Sequence, residues 1–161
     1  QGYLQLHDEG SIDVVPKVHV VQPTGNDTIA TPLRDGDAQA RDIQCTTKVS
    51  GLQVASVTDG HIAVTECRKT DGTGYLVEDE FVWKIQKDLA RSEGVFCEPA
   101  AAVSVCGAIN ALQMGEIQAD DIIVCPITGS GFKDPKSVER LVSDLDCPIV
   151  SNERFEDILA S

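Results

Sequence analysis

DIIVCPITGSGFKDP, residues Asp121 to Pro135, joins a β-branched apolar run to a glycine turn and then to a helix start. Ile122, Ile123 and Val124, with Cys125 and Ile127, predict a strand buried on both faces. The run stops at Thr128-Gly129-Ser130-Gly131, where two glycines let the backbone turn sharply and approach a ligand closely. Ligands in open α/β sheets lie beyond the carboxyl ends of the strands. Thr128 is therefore the first residue to place in a small-molecule site. A polar glycine turn between a strand and a helix accounts for the same residues without any ligand.

Next to this stretch, Glu98-Pro99-Ala100-Ala101-Ala102 opens a helix that runs to Leu112 and ends at Gly115. Pro99 suits the first helical position, where its missing N–H costs nothing. The helix is apolar nearly all round and rich in small side chains, which predicts a central element packed closely on a sheet. Before it, Glu78-Asp79-Glu80 places acids at a helix start, complementing the dipole. Phe81, Val82, Ile85 and Leu89 then form one apolar face, flanked by Trp83 and ended by Gly94. Tyr75-Leu76-Val77 reads as a strand, behind the turn Asp71-Gly72-Thr73-Gly74. A helix from about Gly60 to Lys69, with Asp59 as its cap, precedes that turn.

Farther toward the start, Lys17 to Gln22 is a β-branched strand ended by Pro23. Thr24-Gly25-Asn26-Asp27 is a turn, and Asn26 or Asp27 can cap a helix over Thr28 to Leu33 that Pro32 keeps short. Gly2 to Asp8 reads as a helix end stopped at Gly10. Asp35 to Lys48 is a polar loop, and Val49 to Val54 has no clear type. Beyond the opening stretch, Asp134-Pro135 starts a helix through Val138, Leu141 and Val142. Cys147 to Val150 is a last strand, and Ser151 or Asn152 caps a closing helix through Phe155, Ile158 and Leu159. Strands alternate with helices throughout, which predicts one α/β domain over residues 1–161, in three helix-sheet-helix layers.

Composition narrows the function. The chain has 161 residues, 42% of them hydrophobic, enough for a real core. Its net charge of −13 repels nucleic-acid backbones and anionic membranes, so neither is an expected partner. No apolar run approaches the roughly 18 residues of a membrane span. The start, Gln1-Gly2-Tyr3-Leu4, has no basic region before an apolar core and no Met, which hints at a processed chain or an excised fragment.

The six cysteines include no closely spaced pair of the kind that binds zinc. Cys97, Cys106, Cys125 and Cys147 lie in or beside apolar segments, as reduced thiols of a cytoplasmic protein would. His7, His19 and His61 show no metal-ligand spacing.

Other motifs fail on their chemistry. A phosphate-binding P-loop closes with Gly-Lys-Ser/Thr, whereas Phe132 precedes Lys133 here and Asp134 follows it. Gly72-Thr73-Gly74 lacks the third glycine of a dinucleotide fingerprint. No serine stands in a nucleophile elbow. Glu98 is either the cap of its helix or a polar group lining a pocket.

Two stretches resemble a known family. Glu93-Gly94-Val95-Phe96-Cys97-Glu98-Pro99-Ala100 is similar to the EGIFCEPA motif of threonine synthase and its fold-type II pyridoxal-phosphate relatives. Thr128-Gly129-Ser130-Gly131-Phe132-Lys133-Asp134-Pro135 is similar to the TGxGLKDP that follows about thirty residues later in that family. The resemblance extends to Tyr75-Leu76-Val77 with its acidic helix start and to the strand at Pro16 to Gln22.

It implies the C-terminal, large-domain portion of a tryptophan-synthase-β-like fold. It also implies that Thr128 contacts the pyridine nitrogen of pyridoxal 5'-phosphate and that Gly129 lies beside it, with Glu98 and Ser130 lining the pocket. A neutral hydroxyl there would leave that nitrogen unprotonated and favour β-elimination and replacement.

The family's Schiff-base lysine, its Ser/Asn substrate loop and its glycine-rich phosphate loop match nothing in this chain. Lys17, Lys48 and Lys133 have no claim to the lysine's role, so no catalytic residue is assigned here and the chain would not turn over alone. The partners implied are a phosphorylated amino-acid substrate, the missing N-terminal portion and a second copy in a homodimer. The reaction implied is conversion of O-phosphohomoserine to threonine. The cysteate synthase reaction on O-phosphoserine and a non-catalytic α/β binding or oligomerisation module are the alternatives.

Overall fold

The structure, a computed structural model, describes residues 2–54, 56–145, 150–151 and 154–155. The chain is α/β. Two short parallel strands, β1 (Val20–Pro23) and β2 (Gly74–Val77), pair in the register Val20 to Gly74 through Pro23 to Val77. Around them lie α1 (Gly2–Asp8), α2 (Ala30–Asp35), α3 (Gly60–Arg68), α4 (Asp79–Ser92), α5 (Pro99–Gln113) and α6 (Pro135–Val142).

Alternation along β1 sends neighbouring side chains to opposite faces. Val20 packs with Leu33, Val64 and Cys67 of α2 and α3. Val21 packs with Val77, Val82, Ala102 and Cys106, the core shared with α4 and α5. Each face of the small sheet thus carries its own hydrophobic core, which is the three-layer arrangement expected.

Missing side chains set two of the layer spacings. A Cβ on Gly107 of α5 would collide with the Val21 methyls, and one on Gly74 of β2 would collide with the Ala30 backbone of α2. Glycine at both positions lets helix and strand backbones approach directly. The outer carbonyls of β2 are closed by side chains: Arg34 Nε donates to Gly74 O at 3.1 Å, and Asn110 Nδ2 donates to Leu76 O at 3.0 Å. Those donors satisfy edge groups that another strand would otherwise pair.

Most of the sequence expectations are met closely. α1 ends where Gly10 turns to a φ of 71°, and α4 and α5 start at Asp79 and Pro99. Asp27 Oδ1 accepts the Thr31 N–H at 2.9 Å, so Asp27 does serve the start of α2. The Asp59 side chain makes no cap bond to α3. Strand β1 begins later than expected, at Val20, and takes in Pro23.

The strand expected over Ile122 to Ile127 does not form. Ile122 is 97% exposed and Val124 84%, and neither belongs to a β-ladder. The physical reason is pairing. A β-branched run becomes a strand only where a neighbouring backbone takes its N–H and C=O groups. Among the described residues the sheet contains β1 and β2 alone, and neither reaches this run. The expected strand at Cys147 to Val150 and the closing helix lie largely outside the described residues.

Candidate functional site

The glycine turn and the start of α5 meet. Cys97 and Ser130 form an isolated antiparallel bridge. Gly131 N donates to Phe96 O at 3.0 Å, and Glu98 N donates to Gly129 O at 3.4 Å. The Phe96 and Phe132 rings pack edge to face, with centroids 4.9 Å apart. The Gly131 Cα sits on the Phe96 ring so closely that any Cβ would collide with it. Two segments about thirty residues apart are thereby held side by side.

Thr128, Gly129, Ser130 and Glu98, the four residues singled out from the sequence, all fall at this junction. Thr128 is exposed, and its hydroxyl donates to Glu98 Oε1 at 3.4 Å, long for such a bond. Gly129 has a φ of 62°, the left-handed region that favours glycine. Its Cβ, if present, would fall inside the Glu98 carboxylate. The carboxylate therefore occupies space that exists because residue 129 is glycine. Ser130 contributes its backbone, bridging Cys97 and accepting the Lys133 N–H at 3.1 Å. Glu98 sits at the N-cap of α5 but makes no side-chain cap bond. Its side chain turns to the loop, not to the helix.

Behind the junction lies a polar network that the sequence reading missed. Gln86 of α4 is 2% exposed, and its Nε2 donates to Cys97 O at 2.7 Å and to Ser137 Oγ at 3.2 Å. Ser137 Oγ donates to Asp134 Oδ2 at 2.7 Å, and Arg140 donates to Ser137 Oγ at 3.0 Å while its guanidinium lies 4.6 Å above the Trp83 ring. A signal was available. Val82, Ile85, Gln86 and Leu89 follow the i, i+3, i+4, i+7 spacing of one buried face.

Two cavities line β2, of about 230 and 530 Å³, and neither is lined by Thr128 or Glu98. In the first, Arg34 pairs with Glu116 at 2.9 Å and lies over the Tyr75 ring. Burial, helped by a hydrogen bond to Glu116, pushes the Tyr75 phenol up to about 12. These groups satisfy one another. Among the described residues no group of three or more His, Cys, Asp or Glu could hold a metal ion, and no helix is long and apolar enough to cross a membrane.

Three of the described thiols, Cys67, Cys97 and Cys106, are buried, whereas Cys45 and Cys125 are half-buried. Cys45, Cys67, Cys97, Cys106 and Cys125 are free, and Cys147 lies outside the described residues. Burial pushes the Cys106 thiol up to about 12. The thiolate is the nucleophile, so a thiol held protonated and buried resists alkylation. Iodoacetamide at mildly alkaline pH is expected to modify Cys45 first and to reach Cys106 only on unfolding. Equal rates at the two in the folded protein would contradict that ordering.

The family model described as pyridoxal-phosphate dependent enzyme matches residues 2–129, and the chain belongs to that family.

Within it, the chain is similar to particular threonine synthases. It is 32% identical to that of Methanosarcina acetivorans, over 86% of this chain and 34% of that protein. It is 33% identical to that of Methanocaldococcus jannaschii, over 87% and 35%, and 30% identical to that of Mycobacterium tuberculosis (strain H37Rv), over 94% and 39%. The chain spans a little over a third of the length of these curated relatives.

The residues at the junction could hold a polar atom of the family's cofactor. Thr128 offers a reachable hydroxyl, and the Cβ-free Gly129 beside it is held against Glu98.

Proposed function

We propose that the chain is the C-terminal portion of an enzyme that converts O-phosphohomoserine to threonine with pyridoxal phosphate. The observation that carries this reading is the junction itself, where the EGVFCEPA and TGSGFKDP segments meet through Glu98 and Thr128. Two further facts support it. The exposed Ile122 to Val124 run is a strand in pattern without a partner among the described residues, as expected where the rest of a sheet is supplied by more chain. The chain also accounts for little more than a third of each matched threonine synthase.

In that enzyme Thr128 would hold the ring nitrogen end of the cofactor. Gly129 lets the loop approach without a side chain in the way, and Ser130 anchors the loop to Cys97 through the backbone. The cofactor supplies an electron sink for charge developing on the bound amino acid. The lysine that binds it and the phosphate-binding loop belong to the remaining portion of this reading. The five free thiols fit a reducing cytoplasm.

Full-length protein purified with the cofactor should show the visible absorbance band of a lysine Schiff base and release phosphate from O-phosphohomoserine. Absence of both would remove the reading. Thr128→Val is expected to shift that band and to weaken the cofactor about 2- to 13-fold, the worth of one hydrogen bond of roughly 0.5–1.5 kcal/mol. The far-ultraviolet circular dichroism should not change, because the side chain is exposed. An unaltered band and affinity would take Thr128 out of the site.

A further inference from the structure

We propose that Arg34 anchors a binding site for small aliphatic carboxylates beside β2, and that the Glu116 carboxylate fills the anchor as an internal stand-in until such a ligand displaces it. The inference goes beyond the cofactor reading and does not rest on it.

The guanidinium is set in place by groups other than Glu116. Its Nε donates to Gly74 O at 3.1 Å, and its central carbon lies 5.2 Å from the centre of the Tyr75 ring. Tyr75 is itself held, 5% exposed and paired with Val21 in the sheet. An arginine so oriented presents its remaining N–H groups as a fork that matches a carboxylate. Glu116 fills that fork: Oε1 accepts from Nη1 at 2.9 Å and from Nη2 at 3.1 Å, and Oε2 accepts from Nη2 at 3.2 Å. The Tyr75 hydroxyl bonds the same carboxylate. A free carboxylate would find the same donors.

Beside the fork lies the cavity of about 230 Å³, with Arg34 in its wall. Ala30, Leu76 and Met114 make the lining largely apolar. Pockets for drug-sized ligands start near roughly 300 Å³, so this one suits a smaller molecule. A carboxylate on a short aliphatic chain matches both parts. Its charge meets the fork, and its chain covers Leu76 and Met114.

Glu116 is a replaceable occupant. The Arg34 and Glu116 side chains are 35% and 33% exposed, and an ion pair that open to water contributes little. Its departure needs only a rotation of its own side chain. The Glu116 N–H stays on Ala111 O at 3.0 Å, so the end of α5 keeps its shape.

The test titrates the full-length enzyme by calorimetry with butyrate, with 2-aminobutyrate and with uncharged butyramide. Butyrate is expected to bind weakly and butyramide not at all. Glu116→Gln is expected to tighten butyrate about 1.4- to 5-fold, the worth of an exposed ion pair. Arg34→Met is expected to abolish binding. Tighter binding of 2-aminobutyrate than of butyrate would mark an amino acid as the source of the carboxylate, and the reverse order a plain acid.

Unchanged binding in a folded Arg34→Met overturns the proposal. If that variant fails to fold, two other results still overturn it: neither acid binding to Glu116→Gln, or butyramide binding as tightly as butyrate. Each of these leaves the cofactor reading in place, which its own absorbance band decides.

Discussion

Gly129→Ala is expected to weaken pyridoxal phosphate binding by the full-length enzyme about 10- to 100-fold, a larger loss than removal of the Thr128 hydroxyl. Two effects add. The φ of 62° at residue 129 places any L side chain in the left-handed region, at a cost of roughly 1–2 kcal/mol. The new methyl would also fall inside the Glu98 carboxylate, so Glu98 must leave its place and Thr128 loses its partner.

Gly115 separates the two effects. It has a similar φ of 71°, but a Cβ there would meet nothing within 4 Å. Gly115→Ala should carry only the backbone cost and leave cofactor affinity where it was. Affinity is read by fluorescence titration and stability by urea unfolding. Equal losses of affinity in the two variants would mean that backbone strain, and not the seat of Glu98, governs the site. Intact affinity in Gly129→Ala would mean that Glu98 has room to move without consequence.

The helices were legible in the chain because their signals are local. Pro99 at the first position and the small-residue run mark α5, and the spacing of Val82, Ile85 and Leu89 marks α4. Asp71 to Gly74 marks the turn before β2. The junction of Thr128 with Glu98 was legible only through two motifs in register, since nothing in either stretch alone points to the other.

What the pattern could not carry was partnership. Ile122 to Val124 has the composition of a buried strand, yet pairing decides whether a run becomes one, and no strand pairs with it among the described residues. Gly107 illustrates the same limit from the other side. Its value lies in the Val21 methyls against it, which no property of α5 announces. Gln86 shares the buried face of α4 by spacing, but its polar side chain gives no local sign of the Cys97 carbonyl it serves.

Gln86→Leu is expected to lower stability by about 1–3 kcal/mol, the cost of leaving a buried polar group without its partner. Leucine is close to glutamine in size, so the loss comes from hydrogen bonds and not from an empty space. Cys97 O loses a 2.7 Å donor in a region where Cys97 is 1% exposed and Gln86 2%. Ser137 Oγ loses one contact but keeps Asp134 and Arg140. The orphaned Cys97 carbonyl therefore dominates. It lies one peptide before Glu98, so the same variant should also loosen the junction and weaken the cofactor.

Ser137→Ala is the informative partner. If Gln86 and Ser137 act as one network between α4, α5 and α6, the double variant will cost less than the two single losses added together. Strict additivity in urea unfolding would show that Gln86 serves Cys97 alone. The coupling would then have to be sought in Arg140, whose guanidinium spans Ser137, Asp134 and the Trp83 ring.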